Sequence, residues 1–118
     1  MGSTFTNPMG QVTGYKKKNG SMTTYTDALN RVKGYEKNFG GVTTVMGSMG
    51  QVKGYKHKSG DMTTITDAMG QVRAYENENS GVTTISNAFG QVQGYKRKNG
   101  NTITYTNALG QITGREKK

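Results

Sequence analysis

Apolar and polar positions recur along this chain every twenty residues, with almost no slippage. One column holds Val12, Val32, Val52, Val72, Val92 and Ile112, and a second Gly14, Gly34, Gly54, Ala74, Gly94 and Gly114. A third holds Tyr15, Tyr35, Tyr55, Tyr75 and Tyr95, and a fourth Phe5, Tyr25, Val45, Ile65, Ile85 and Tyr105. A fixed period outranks local signals, because each unit is one supersecondary element that covers its apolar positions only against its neighbours. The pattern predicts a single repeat domain over residues 1–118. It consists of a half unit (1–10), full units 11–30, 31–50, 51–70, 71–90 and 91–110, and a closing half unit (111–118).

Each unit carries two short runs rich in Val, Tyr, Thr and Ile, bounded by two kinds of turn, which is strand chemistry. Helix is excluded by the recurrent Gly and by the lack of an i, i+3, i+4 apolar stripe. The dipeptides Asn19-Gly20, Ser59-Gly60 and Asn99-Gly100 accept positive φ and predict two-residue type I′ hairpins. That register sets Tyr25 opposite Gly14, Ile65 opposite Gly54 and Tyr105 opposite Gly94, large side chains over strand glycines. The second turn, residues 27–30, 67–70 or 107–110, opens on Asp or Asn and usually ends on Gly, and is expected to be a four-residue loop. It would pair Thr26 with Arg31 and bring Tyr25 beside Val32 and Met22 beside Tyr35. Because strand side chains alternate between faces, a constant twenty-residue period demands an even loop.

The expected fold is all-β, an extended antiparallel meander of 20-residue β-hairpin repeats with about eleven or twelve short strands. Its two faces would carry modest apolar strips, Val with the Tyr25 column on one and the Tyr15 column with Met22, Val42, Met62 and Val82 on the other. Such strips suit face-to-face pairing in a homo-oligomer. The alternative is a β-solenoid with one repeat per coil. In its favour, Lys16, Glu36, Lys56, Glu76, Lys96 and Glu116 alternate in sign without exception. Opposite charges would lie one strand spacing, about 4.8 Å, apart in a solenoid and twice that in a meander. Against it, the odd hairpins ("KKKNGSM", "KHKSGDM", "KRKNGNT") differ from the even ones ("EKNFGGV", "ENENSGV"), so the alternation belongs to a forty-residue super-repeat.

Composition changes this picture in two ways. Leu, Ile, Val and Phe are sparse enough, beside a net charge of +9, to point towards disorder, and only the strict repeat with seven Tyr and seven Met argues for a fold. The excess of 16 Lys and Arg over 7 acids favours a polyanionic partner such as an acidic polysaccharide, nucleic acid or an anionic lipid surface. The absence of Cys excludes disulfides and thiolate zinc sites. The start "MGSTFTNPMG" has no signal-peptide regions, and no apolar run approaches the about 20 residues of a spanning helix.

The stretch "TTITDAMGQVRAYENENSGVTTISNAFGQVQGY" resembles the YD, or Rhs-type, repeats of large bacterial surface and toxin proteins. Asp67, Ala68, Gly70, Val72 and Tyr75 follow that family's order, although Lys or Glu stands where the Tyr-Asp pair would have its Asp. The resemblance implies a structural or binding module of a bacterial surface or secreted protein, in an extracellular or cell-surface setting. Family members wind many hairpins into a shell, which five and a half units are too few to build.

No catalytic constellation emerges. His57 is the single His, in a column otherwise held by Lys17, Lys37, Asn77 and Arg97, and reads as a solvated strand residue. Asp27 and Asp67 share a turn column with Asn7, Asn87 and Asn107, so their work is turn hydrogen bonding. The acids specify no catalytic pair and no calcium site, and the glycines no phosphate loop, so no cofactor or metal is expected. The expectation is a non-enzymatic β-repeat structural or binding module. The one site with a chemical argument is basic. Lys16, Lys17, Lys18, Lys56, Lys58, Lys96, Arg97 and Lys98 crowd the tips of alternate hairpins, with Tyr interleaved, as a polyanion-binding sheet would require. The pairs Thr23-Thr24, Thr43-Thr44, Thr63-Thr64 and Thr83-Thr84 also suggest an ice-binding array, which needs the flat solenoid.

Overall fold

A computed structural model of the protein describes residues 2–118; Met1, the first residue of the opening half unit, lies outside the described residues. The strands are β1 (Gly2–Thr6), β2 (Val12–Asn19), β3 (Met22–Asp27), β4 (Val32–Phe39), β5 (Val42–Gly47) and β6 (Val52–Ser59). They continue with β7 (Met62–Asp67), β8 (Val72–Asn79), β9 (Val82–Asn87), β10 (Val92–Asn99), β11 (Thr102–Asn107) and β12 (Ile112–Lys117). Every strand pairs antiparallel with its neighbours in sequence, so the chain is a meander and the solenoid does not form. It is not an open sheet, however. β1 pairs with β12, and the twelve strands close into a barrel 35 × 33 × 20 Å in extent, wider than it is tall.

Closure answers an energetic problem that the composition poses. Among the described residues no apolar side chain is fully buried, so this chain has no core from which to stabilise a free-edged sheet. A barrel leaves no edge N–H or C=O unpaired. The seam repeats the register of the hairpins. Phe5 faces Glu116 across it just as Tyr25 faces Lys16 within the β2–β3 hairpin. The two terminal half units therefore meet as a sixth hairpin without a loop.

Both turns differ from the expected ones. Asn19 pairs with Met22, so the two-residue loop is Gly20-Ser21, and likewise Gly40-Gly41, Gly60-Asp61 and Gly100-Asn101. Only the first of these residues has positive φ, 65° at Gly20, which is the sign pattern of type II′. Ser80-Gly81 has φ of 56° and 84°, the pattern of type I′. Tyr25 consequently lies opposite Lys16 in its hairpin, not opposite Gly14.

At the other end of the barrel the Asp27 amide donates to the Arg31 carbonyl (2.9 Å) and Asn30 N–H to the Asp27 carbonyl (3.0 Å), which leaves a three-residue loop with Asn30 at φ 69°. An odd loop reverses the faces, and a β-bulge at Lys33 reverses them back: Thr26 pairs with Val32, but Tyr25 pairs with Gly34. Ring over glycine is thus realised, across the bulge rather than across the hairpin. Tyr25 and Val32 accordingly fall on opposite faces, and the expected apolar strips are redistributed. The Val column joins Tyr15, Met22, Thr24 and Thr26 on the outer wall, and the Phe5–Tyr25–Val45–Ile65–Ile85–Tyr105 row lines the inside, half-buried.

Candidate functional site

Strand alternation places Lys16, Glu36, Lys56, Glu76, Lys96 and Glu116 on the inner face with the aromatic and aliphatic row. Three ion pairs cross the intervening strand: Lys16 Nζ to Glu116 Oε2 at 2.7 Å, Lys56 Nζ to Glu36 Oε2 at 2.8 Å and Lys96 Nζ to Glu76 Oε1 at 3.4 Å. A two-strand separation would keep such pairs apart on a flat sheet, but the curvature of the closed wall makes inward side chains converge. The forty-residue super-repeat fits the barrel three times, and each turn of it contributes one ion pair.

Glu116 is the most enclosed of these groups, 2% exposed. Its Oε1 accepts the Tyr105 hydroxyl at 2.7 Å, and its Oε2 faces Lys16. Burial alone would push its carboxyl up, but hydrogen bonds from Lys16, Tyr105 and Ser3, with the Lys16 charge, hold it below the ordinary carboxylate range. The Tyr25 phenol is pushed well above its usual value by burial and by Glu36, and that of Tyr105 by burial and by Glu116. A carboxyl whose folded pKa is depressed stabilises the fold fully above its unfolded pKa, and that contribution is lost as pH falls through the folded value. Glu116→Gln is therefore expected to lower stability at neutral pH by about 2 kcal/mol and to flatten the acid limb of the urea midpoint plotted against pH. A variant as acid-sensitive as the parent would contradict this.

The eight basic residues predicted from sequence all lie towards one rim, that of the two-residue hairpins, but they do not act alike. Lys16, Lys56 and Lys96 are engaged inside. Lys17 and Arg97, opposite Thr24 and Thr104, are exposed on the outer wall. Lys18, Lys58 and Lys98 stand one step nearer the loops on the inner alternation, opposite Thr23, Thr63 and Ile103. The fold adds Lys37, Lys117 and Lys118 to the same rim, since β12 ends there. The columns already held this information: Lys118 continues Lys98, and Lys117 continues Arg97. A cavity of about 610 Å³ lies against this rim, lined among others by Ser3, Lys16, Lys18, Tyr25, Glu36, Asn101 and Lys118. The Lys16 and Glu36 side chains in its wall reflect the charge column, which the sequence shows, and ring closure, which it does not.

His57 is exposed on the outer wall between Val42 and Thr64. Among the described residues no three His, Asp or Glu side chains converge as metal ligands would. Asp27 and Asp67 cap their turns: Asp27 Oδ1 accepts the amides of Leu29 and Arg31, both at 2.9 Å, and Asp67 Oδ1 those of Met69 and Gln71. The Arg31 amide leads the interactions that hold the Asp27 carboxyl below its usual range. Where the column has Gly47, Gln51 Oε1 reaches back to the Met49 amide at 3.2 Å. Among the described residues no helix is long and apolar enough to cross a membrane. Compared with protein-family models, curated proteins and solved structures, the chain matches none.

Proposed function

We propose that this protein is a non-catalytic β-barrel binding module that grips a polyanion, an acidic polysaccharide or a nucleic acid, through its hairpin rim. The supporting observation is the distribution of charge. The eight residues above with Lys37, Lys117 and Lys118 bring eleven of the 16 cations to one rim, against Glu36, Glu76, Glu78, Glu116 and Asp61. The three internal ion pairs fix the floor of this surface, and the exposed Lys17, Lys37, Arg97 and Lys117 are spaced around a ring that a wrapped or end-on polymer contacts at several points. Each anionic group neutralised there releases a counterion, so affinity falls steeply with salt. The bacterial surface or secreted setting implied by the YD-type resemblance supplies acidic polymers of this kind.

Binding to heparin and to single-stranded DNA, measured from about 50 to 300 mM salt, tests the reading. The parent is expected to show a steep log–log salt slope, and Lys17→Gln with Arg97→Gln to reduce that slope by about one per residue that contacts an anionic group. Retention equal to that on a plain sulfonate exchanger, with no response to these two variants, would sink it.

A further inference from the structure

The opposite rim carries a second feature that this reading leaves unused. The third position of each four-residue turn holds Met9, Leu29, Met49, Met69, Phe89 or Leu109, and all six are 73 to 92% exposed. Turn crests of this geometry favour small or polar residues, and nothing in the turn requires an apolar side chain there. The turn is already closed by backbone bonds and by the capping oxygen of Asn7, Asp27, Asp67, Asn87 or Asn107. The residues beside the crest are Pro, Ala, Ser, Gly or Asn, so positions 8–10, 28–30 and their equivalents carry no charge at all. Closure of the barrel gathers six separate turns into one apolar crown.

A step below the crown stand Arg31, Lys33, Lys53 and Arg73, all exposed. Asp27 and Asp67 hold Arg31 at 2.8 Å and Arg73 at 3.7 Å, which leaves Lys33 and Lys53 as the excess charge of this end. Apolar side chains at the crest with long cations just behind them match the layering of an anionic lipid surface, with acyl chains beyond and headgroup charge around. A second copy docked crown to crown would instead bring the two surpluses of Lys33 and Lys53 together, since Asp27 and Asp67 already hold Arg31 and Arg73. The strands, five to eight residues long, are shorter than the about 9–11 of a spanning barrel, so the contact is one of docking.

We infer that the ring of Met9, Leu29, Met49, Met69, Phe89 and Leu109 is a membrane-docking crown, which seats this end of the barrel on anionic lipid and turns the basic hairpin rim towards solution. The test is flotation of the full chain with vesicles of phosphatidylcholine alone and with about 30% phosphatidylserine. The parent is expected to float with the anionic vesicles and much less with the neutral ones. Met69→Ser with Phe89→Ser, at exposed crests, should retain the parent's unfolding midpoint yet bind at least about tenfold more weakly. Lys33→Gln with Lys53→Gln should reduce binding to anionic vesicles only, and by more than Lys17→Gln with Arg97→Gln on the far rim does; a larger loss from the far-rim variant would overturn the proposal. Failure of the parent to float at low salt would overturn the proposal, as would full binding by the crown variant. So would a dimer in size-exclusion chromatography that the crown variant abolishes, because the crown would then belong to a second copy.

Discussion

A chain lacking residues 1–10 is expected to lose the monomeric barrel and to run as dimers or larger assemblies in size-exclusion chromatography with light scattering. β1 pairs on one side with β2 over Gly2 to Thr6 and on the other with β12 through Thr4, Phe5 and Thr6. Its removal exposes two full edges. They cannot simply zip together. In an antiparallel meander β2 and β12 run in the same direction, so direct closure would require a parallel ladder in a wall that has none. The truncated chain also loses Ser3 and Phe5 from around Glu116, and Lys16 loses the strand across which it reaches Glu116. The freed edges of β2 and β12 each present a row of unpaired N–H and C=O groups that the corresponding edge of another copy can satisfy. Adding a peptide of residues 1–10 should restore the monomer, because the missing strand is supplied in trans. A truncated chain that stays monomeric, with the parent's unfolding midpoint, would show that the seam contributes nothing.

The second large effect is expected at Gly54. A Cβ built there would run into the carbonyl oxygen of Thr66, because the wall is drawn in tightly beside the bulge. The same conflict with backbone oxygen recurs at Gly14, Gly34 and Gly94. Ala74 occupies this column opposite Ile65, so one methyl is absorbed by a local shift of the chain. Gly54→Ala should cost about 1 kcal/mol and Gly54→Val about 3 kcal/mol, since a branched side chain must displace both the Thr66 carbonyl and the inner row. For a domain of this size the valine variant should lower the thermal midpoint by about 10 °C or more. A midpoint within about 2 °C of the parent would refute the account of this column.

The columns were enough to read the all-β class and the sequence of hairpins, because a twenty-residue period admits few other arrangements of Val, Thr, Tyr and Gly. A constant twenty-residue period constrains the total length of the second turn and leaves its parts open. Three loop residues and a bulge add up to the same even count as a four-residue loop, and periodicity sees only the sum. The Gly after Asn19 drew attention to the wrong dipeptide. Gly20-Ser21 and Gly60-Asp61 are themselves a Gly-first signal for type II′, and the positive φ at Asn30, Gly70 and Gly110 marks a three-residue loop. The basic rim was legible because hairpin tips are local features. Its ion pairs, its cavity and the apolar crown were not: the Lys16–Glu116 pair and the ring of turns exist only once β1 meets β12, and the other two pairs form because the wall is curved. The regular exposure of Met49 and Phe89 carries no meaning in one unit and becomes a surface only in a ring of six.

Closure also imposes a counting rule on any enlargement of this architecture. The inner column runs Lys16, Glu36, Lys56, Glu76, Lys96, Glu116 and returns to Lys16, so every member has neighbours of opposite sign on both sides. Inserting a single twenty-residue unit would give an odd ring, in which two like charges stand side by side in the lumen whichever sign of charge the new unit carries. Inserting forty residues would not. A repeat protein of this kind keeps its unbroken alternation of charge only by widening in pairs of units, a constraint that the open meander would never have felt.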